Sequence, residues 1–185
     1  MTDQDDSQHA LVLGGSGMLR DVSLWLAHRM VTSVIARNTE RLDQLAACHV
    51  NLHGSAVDYT DVDRLHIRLK EVQRMHGPVE LVVAWVHGDP TDTLRTVRQS
   101  IERASDHSWR LVHVVGSSTD RDAIRRRIDL GSRCTMHSTQ LGFVLDGNGA
   151  RWLTHTEISN GVIRCIETKR DVLVGRLEPW DERPR

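Results

Sequence analysis

A run of small residues, Gly14-Gly15-Ser16-Gly17, separates a short apolar segment from one with apolar side chains at helical spacing. Glycine permits positive φ and has no Cβ to obstruct a phosphate. Free N–H groups and the dipole of a following helix favour a diphosphate. The turn predicts a dinucleotide site that also includes Met18 and Leu19. In the pattern G-x-G-x-x-G from Gly15, Arg20 takes the place of the third glycine, and a tight strand–helix turn without a ligand is the alternative.

The second predicted strand ends with Ala36-Arg37-Asn38. An NAD site usually has an acidic residue roughly 20 residues after the glycine turn, to accept hydrogen bonds from the ribose. Arginine here can instead pair bidentately with a 2′-phosphate, which predicts NADP(H). The alternative for Arg37 is a solvated loop residue. Asp58 and Tyr59 follow the third predicted strand, where an adenine ring usually rests, and complete this part of the predicted site.

Polar groups suited to proton transfer follow the fourth and fifth predicted strands. His87 comes two residues after Trp85, which we assign to the cofactor site, and an imidazole can donate a proton near pH 7. Ser117 and Ser118 follow the fifth strand and are the other catalytic candidates. The alternative for His87 is a loop histidine with one backbone hydrogen bond. His113, in the middle of the fifth strand, is expected to be a core histidine with satisfied hydrogen bonds.

The segments that must position these residues alternate between short apolar runs and longer amphipathic stretches. Predicted strands cover residues 9–13, 32–36, 49–57, 80–86, 110–115, 139–145 and 172–176. Predicted helices cover residues 18–30, 41–47, 90–104 and 120–128, with one more opening at a Thr60 cap and a last one at the capping box of Thr154 and Glu157. This alternation predicts an α/β fold: a doubly wound, Rossmann-like parallel sheet of about six to seven strands with helices on both faces.

Four segments resemble the short-chain dehydrogenase/reductase family over roughly residues 9–165. They read LVLGGSGML (11–19), SVIARNTERLDQL (33–45), VDYTD (57–61) and HVVGSS (113–118). The resemblance implies a Rossmann domain that binds NAD(P)(H), usually in an oligomer, and a carbonyl reductase activity.

The chain departs from the family at its catalytic residues. The family carries Tyr-x-x-x-Lys on the helix between the fifth and sixth strands, but no tyrosine follows Tyr59 here and Lys169 lies beyond the sixth strand. Trp85-Val86-His87-Gly88 also replaces the family's Asn-Asn-Ala-Gly. We therefore expect a short, divergent member. It is either an NADP(H)-dependent oxidoreductase on a small carbonyl compound, with His87 or Ser117 as proton donor, or a catalytically silent nucleotide-binding sensor or assembly subunit. A third alternative is a Rossmann-like domain without a ligand.

The composition restricts the partners. With 24 basic and 25 acidic residues the net charge is −1, which gives no electrostatic case for nucleic acid or an anionic membrane. No apolar run reaches the roughly 18–20 residues of a membrane span. The three cysteines are far apart and predict neither disulfides nor a metal site. Expected partners are the dinucleotide and a small substrate.

We expect a single domain over residues 9–177, between a flexible N-terminus (1–8) and a flexible tail (178–185). The polar, acidic N-terminus does not read as a signal peptide, so a cytoplasmic location is expected. We expect a homodimer or larger, because a short domain with five tryptophans should leave apolar surface uncovered. The sixth strand and the last helix, including Trp152 and Ile158, are the expected contact.

Overall fold

A parallel sheet of seven strands forms the framework of the computed structural model, which describes residues 8–147 and 149–184. Nine strands are described in all, seven in this sheet and two in a hairpin. They are β1 (His9–Leu13), β2 (Val31–Ala36), β3 (Leu52–Ala56), β4 (Val79–Trp85), β5 (Trp109–Val115), β6 (Cys134–Leu141), β7 (Phe143–Asp146), β8 (Gly149–Trp152) and β9 (Val172–Val174). The large sheet has the order β3-β2-β1-β4-β5-β6-β9 with every pairing parallel, and β7 and β8 form a separate antiparallel hairpin.

Helices cover both faces of the sheet. They are α1 (Arg20–Ala27), α2 (Thr39–Ala46), α3 (Val62–His76), α4 (Thr91–Ala104), α5 (Arg121–Arg127) and α6 (His155–Thr168), followed by a short 3-10 helix (Trp180–Glu182). Helices α1, α2 and α6 contribute buried side chains to one core, and α3 and α4 contribute to the other. The predicted doubly wound α/β fold is confirmed.

The central strands bury both of their faces, as a parallel sheet between two helical layers requires. Every residue of β1 is buried. Ala10 and Val12 pack into the core beneath α1, whereas Leu11 and Leu13 pack into the core beneath α3 and α4. Because successive side chains of a strand point to opposite faces, the apolar run of β1 joins the two cores.

The sixth predicted strand, residues 139–145, is two elements in the structure. Strand β6 ends at Leu141, and after Gly142 the chain enters the β7–β8 hairpin. The N–H of Gly142 donates to the carbonyl of Val174, and Phe143 exchanges two hydrogen bonds of 2.9 Å with Arg176. A Cβ on residue 142 would lie only 2.2 Å from the carbonyl oxygen of Arg176, so this junction requires glycine.

Two predicted caps have different outcomes. The capping box between Thr154 and Glu157 is present, which confirms the start of α6. Helix α3 is capped by Asp61, whose side chain accepts from the N–H of Arg64, so the predicted Thr60 cap is wrong. Thr60 instead directs both its hydroxyl and its N–H to Asp58.

The residues expected to form a subunit contact lie in different environments. Ile158 is only 5% exposed and belongs to the core beneath α6, so it is not available to a partner. Trp152 is 47% exposed on the hairpin. The flexible N-terminus predicted for residues 1–8 lies, except for Gln8, outside the described residues. Among the described helices, none has the length and apolar character to cross a membrane.

Candidate functional site

The carboxyl edge of the sheet carries the predicted site. Strands β1 and β4 are neighbours, and from them the sheet extends to β2 and β3 on one side and to β5, β6 and β9 on the other. Leu13, at the end of β1, is level with Ile35 of β2 and Ala84 of β4, so the loops that follow these strands meet. In open α/β sheets, ligands bind in the crevice at such a switch point.

Two glycines of the turn after β1 have structural reasons to be glycine. Gly14 has a φ of +78°, and its N–H donates to the carbonyl of Ile35 at 2.9 Å. A Cβ on Gly15 would lie 2.6 Å from the Ser23 hydroxyl oxygen and 2.7 Å from a methyl of Val12. A tight strand–helix turn accounts for both glycines without any ligand.

Gly17 has no such reason. Its φ lies outside the left-handed region, and a Cβ there would meet only a guanidinium nitrogen of Arg41, at 3.8 Å. Gly17 and the neighbouring Ser16 and Met18 are half-buried. The missing side chain keeps the main chain at this point open to close approach, which is what a diphosphate needs. Leu19 is fully buried in the core, so only its main chain remains for the predicted contact.

Arg37 is exposed immediately after β2, as its predicted role requires. Ala36 is 5% exposed, and the Asn38 side chain accepts from the N–H of Arg41 at 2.8 Å to cap α2. This cap fixes the first turn of α2 and leaves the Arg41 side chain beside Gly17. The sequence analysis missed Arg41, which lies four residues after Arg37 in the first turn of α2.

The side chains of Asp58 and Tyr59 both make hydrogen bonds within the protein. The hydroxyl and N–H of Thr60 donate to the Asp58 carboxylate and, with a smaller effect from the charge of Arg37, lower its pKa. Tyr59 is 5% exposed, and its hydroxyl accepts from the N–H of His87 at 3.4 Å. The Tyr59 hydroxyl therefore contacts the loop after β4, and little of the Tyr59 ring is exposed for contact with an adenine.

A cavity of about 290 Å³, which we call the Ser117 cavity, opens between the ends of β4, β5 and β6. Met18 and Trp85 form one side, and the hairpin and α6 close the other. Its lining residues are Met18, Trp85, Gly116, Ser117, Leu141, Gly142, Trp152, Leu153, His155 and Ile158. The walls are mainly apolar, with the Ser117 hydroxyl and the His155 imidazole as polar groups.

A second cavity of about 210 Å³, the His87 cavity, lies between β4, β5 and the start of α5. The indole N–H of Trp85 donates to Nε2 of His87 at 3.1 Å. Because an indole nitrogen only donates, Nε2 of His87 accepts in this hydrogen bond, and Nδ1 is the ring nitrogen left for another partner. His113 also lines this cavity and is 2% exposed.

His113 is buried as expected, but its hydrogen bonding differs from the expected satisfied state. Its Nδ1 is buried and has no hydrogen-bond partner among the described residues. Burial lowers the pKa of His113 to about 4, because the cation would lose its hydration. The ring is therefore neutral at physiological pH, and the sequence analysis was wrong about its hydrogen bonds.

The three catalytic candidates do not converge on one point. Ser117 and His87 lie in separate cavities that share Trp85 and Gly116 as a common wall. Ser118 is exposed and, together with Ser117, lines another depression beside the C-terminal residues. His155, which shares the Ser117 cavity, was missed by the sequence analysis; its signal is its place directly after the Thr154 cap.

The hairpin is fastened to α6 by ion pairing. Arg151 makes two hydrogen bonds of 2.9 Å to the carboxylate of Glu157 and approaches Asp146 at 3.5 Å. The guanidinium of Arg151 and the N–H of Thr154 lower the pKa of Glu157 to about 2. These contacts hold Trp152 at the wall of the Ser117 cavity. Within residues 8–147 and 149–184, no group of three or more potential ligands is placed to hold a metal ion.

Comparison with known proteins agrees with this architecture. No family model and no curated protein matches the sequence. Among solved structures, the chain is similar to the crystal structure of a short-chain dehydrogenase/reductase, glucose/ribitol dehydrogenase, from Brucella melitensis. The two share 12% sequence identity with a TM-score of 0.67, over 91% of this chain and 94% of the other. At this identity the likeness shows the Rossmann-like fold.

Proposed function

We propose that this protein binds NADP(H) and reduces a small carbonyl compound. The observation that carries the proposal is Gly17: nothing around it inside the protein requires glycine, yet it lies in the turn between β1 and α1, at the switch point of the sheet. A diphosphate resting on the main chain of residues 15–18 explains the open backbone. The fold shared with a short-chain dehydrogenase/reductase supports a nicotinamide dinucleotide as the ligand.

The choice of NADP(H) rests on the charge at the end of β2. Arg37 is exposed there, and Arg41 reaches toward Gly17 one turn into α2. Two guanidinium groups favour a 2′-phosphate, whereas a free ribose hydroxyl would be better served by an acceptor. No acidic residue occupies positions 36–39.

The chemistry at the carboxyl edge follows from the groups present. Bound NADPH would supply a hydride. Ser117 would hold the body of a substrate between the apolar walls of its cavity, with the carbonyl group at the edge of Trp85 and Gly116 that this cavity shares with the His87 cavity. There an imidazole would donate the proton that the developing alkoxide requires. We assign this donor to His87.

Arg37 provides the test of the cofactor. Titration of the protein with NADPH and NADH, followed by calorimetry, should show NADPH binding about tenfold tighter or more, a difference of about 1.4 kcal/mol. Arg37→Asp should reverse the preference, because a carboxylate repels the 2′-phosphate and accepts from the ribose. Arg64→Asp, an equal charge change at an exposed position on α3, should leave it unchanged. Equal affinities in the unmodified protein contradict the NADP(H) assignment.

A second candidate function, a catalytically silent nucleotide-binding sensor or assembly subunit, is favoured by one observation. Tyr59, the only tyrosine, is buried and engaged with the loop after β4, and Lys70 and Lys169 lie on α3 and after α6. No tyrosine–lysine pair therefore serves the Ser117 cavity. NADPH oxidation with a panel of aldehydes, ketones and enones separates the two functions: turnover supports the reductase, and tight binding without turnover supports the silent protein.

A further inference from the structure

A cavity of about 500 Å³ lies between α3 and α4, on the outer side of the helical layer. Its walls come mainly from the C-terminal halves of both helices, with His66 from the first half of α3 and Pro78 from just before β4. These halves lie toward the amino edge of the sheet, because the helices run back against the direction of the strands. The cavity, which we call the α3–α4 cavity, shares no residue with the Ser117 and His87 cavities. Its volume is in the range of small-molecule sites.

The cations around the α3–α4 cavity are unpaired. Lys70, Arg74 and Arg103 all line it and are exposed. In the described part of the chain, none of the three has a carboxylate within 4.0 Å. The one acidic residue in the wall, Glu71, is held by Arg68 at 2.8 Å. The cavity therefore carries an uncompensated positive charge on a chain whose net charge is −1.

The spacing of these residues concentrates the charge. His66, Lys70 and Arg74 follow one another at four-residue intervals, so they form one stripe along α3. Arg103 and Ser100 lie one turn apart on α4 and form the opposite wall. A ligand between the helices would meet cationic groups from two sides.

Hydrogen bonds of Gln73 form the floor of the cavity. Gln73 is 8% exposed, and its Nε2 lies 3.0 Å from the Ser100 hydroxyl and 3.2 Å from the carbonyl of Leu69. These contacts join α3 to α4. The other amide atom, Oε1, is buried and has no partner in the described structure. Because Oε1 is a hydrogen-bond acceptor, it does not itself favour an anion, and the contribution of Gln73 is to join the two helices.

Helix stability accounts for only part of this pattern. Cations in the last turn of a helix interact favourably with its free carbonyl groups, which gives Arg74 and Arg103 a local role. Lys70 lies before the last turn of α3 and gains nothing from this effect. Nor does the effect explain a cavity between the two helices.

We infer that the α3–α4 cavity binds an organic anion with an apolar body, of the class of medium-chain carboxylates. Lys70, Arg74 and Arg103 hold the anionic head. Pro78, Ala104 and the aliphatic stems of the basic side chains contact the apolar chain. The site is separate from the proposed dinucleotide crevice, so both ligands bind at once.

Decanoate is the probe, measured by calorimetry below its micelle concentration, with and without saturating NADPH. We expect one site per chain, an affinity that NADPH leaves unchanged, and weaker binding at high salt. Arg74→Ala combined with Arg103→Ala should weaken binding by about tenfold or more. The matched control is Arg64→Ala with Arg95→Ala, which removes the same charge from the same two helices at residues paired with Asp61 and Asp92; it should change the affinity by less than about twofold. Ala104→Trp should block the cavity without changing the charge.

Several outcomes would overturn the inference. They are the absence of decanoate binding, its displacement by NADPH, equal weakening in the two double variants, or undiminished binding in Ala104→Trp. Dissociation of an oligomer by the Arg74 and Arg103 substitutions would also overturn it, since this face would then bind a second copy. Because NADPH binding is measured separately on the same samples, failure of this inference is distinguishable from failure of the proposed function.

Discussion

At the scale of single residues, two buried histidines have opposite hydrogen-bonding states. His9 directs Nδ1 to the carbonyl of Gly77 and Nε2 to the Ser33 hydroxyl, each at 2.8 Å. Nδ1 of His113 has no partner in the described structure. Burial lowers the pKa of both to about 4. The same residue type is thus a satisfied structural group at the amino edge and an incompletely paired group beside the candidate site.

These pKa values predict an acid-sensitive stability. A lowered pKa in the folded state means that folding favours the neutral ring, so stability is full above pH 6.5 and is lost as the pH falls toward 4. A shift from 6.5 to about 4 corresponds to about 3 kcal/mol for each histidine. Urea unfolding between pH 8 and pH 4 should show this fall, and His113→Leu should remove about half of it.

The two histidines serve as controls for each other. His113→Leu breaks no hydrogen bond of Nδ1, so it should not lower the free energy of unfolding at pH 8. His9→Leu leaves Gly77 and Ser33 without partners and should cost about 1–3 kcal/mol at the same pH. A large loss in His113→Leu at pH 8 would contradict the unpaired state of its ring.

The proposed proton donor belongs to the same scale. His87→Ala should lower the turnover of a carbonyl substrate by about a hundredfold and leave NADPH affinity nearly unchanged, because the imidazole acts on the alkoxide and not on the dinucleotide. His155→Ala is the matched control, since His155 lies at the same edge of the sheet in the other cavity. A larger loss in His155→Ala would move the donor role from His87 to His155.

At the scale of elements, the turn between β1 and α1 has two kinds of glycine. Gly14 and Gly15 let the strand end close to β2 and α1, where a Cβ at position 15 would overlap Val12 and Ser23. Gly17 faces open space and Arg41. One short segment thus combines a packing requirement with an open main chain, and the two can be separated experimentally.

Substitution by alanine should separate them. Gly15→Ala should destabilise the fold by about 1–3 kcal/mol through overpacking. Gly17→Ala should leave the unfolding transition unchanged and weaken NADPH binding about tenfold or more, because its Cβ occupies the place of the diphosphate. Thermal unfolding and calorimetry on both variants provide the measurement. Unchanged NADPH affinity in Gly17→Ala would contradict the proposed contact.

At the scale of the whole molecule, the two edges of the sheet differ. Strand β3 lies at one edge and the three-residue β9 at the other, where Leu173 is 47% exposed. Trp152 on the hairpin is also 47% exposed. Exposed apolar side chains on an unpaired edge strand favour association. We place the proposed subunit contact at β9, in place of the buried Ile158.

Sedimentation at micromolar concentration tests this assembly, and we expect a homodimer or larger. Leu173→Asp should shift the protein toward the monomer, because a carboxylate would have to be desolvated in the contact. Val50→Asp, at an 84% exposed position before β3, is the control and should not change the assembly. A monomer in the unmodified protein would contradict the proposed dimer.

The amino-acid sequence by itself determined the order of the strands and helices of the large sheet, although not the β7–β8 hairpin. Strands with both faces apolar, such as β4, alternate with amphipathic helices, and local periodicity is enough to predict a parallel sheet between two helical layers. The capping box of α6 was readable for the same reason, since both partners lie within one helical turn. The position of the glycine turn could also be read from the sequence, because the turn lies between an apolar strand and an amphipathic helix.

Only the tertiary structure decided which side chains meet. Ser117 and His87 both follow strands at the carboxyl edge, yet they open into different cavities, and His155 joins Ser117 across a hairpin that periodicity merged into β6. Arg41 lies beside Gly17, and the unpaired cations of α3 and α4 surround one cavity. These contacts join residues far apart in the chain, and they depend on how helices and loops pack on the sheet, which no local pattern of residues specifies.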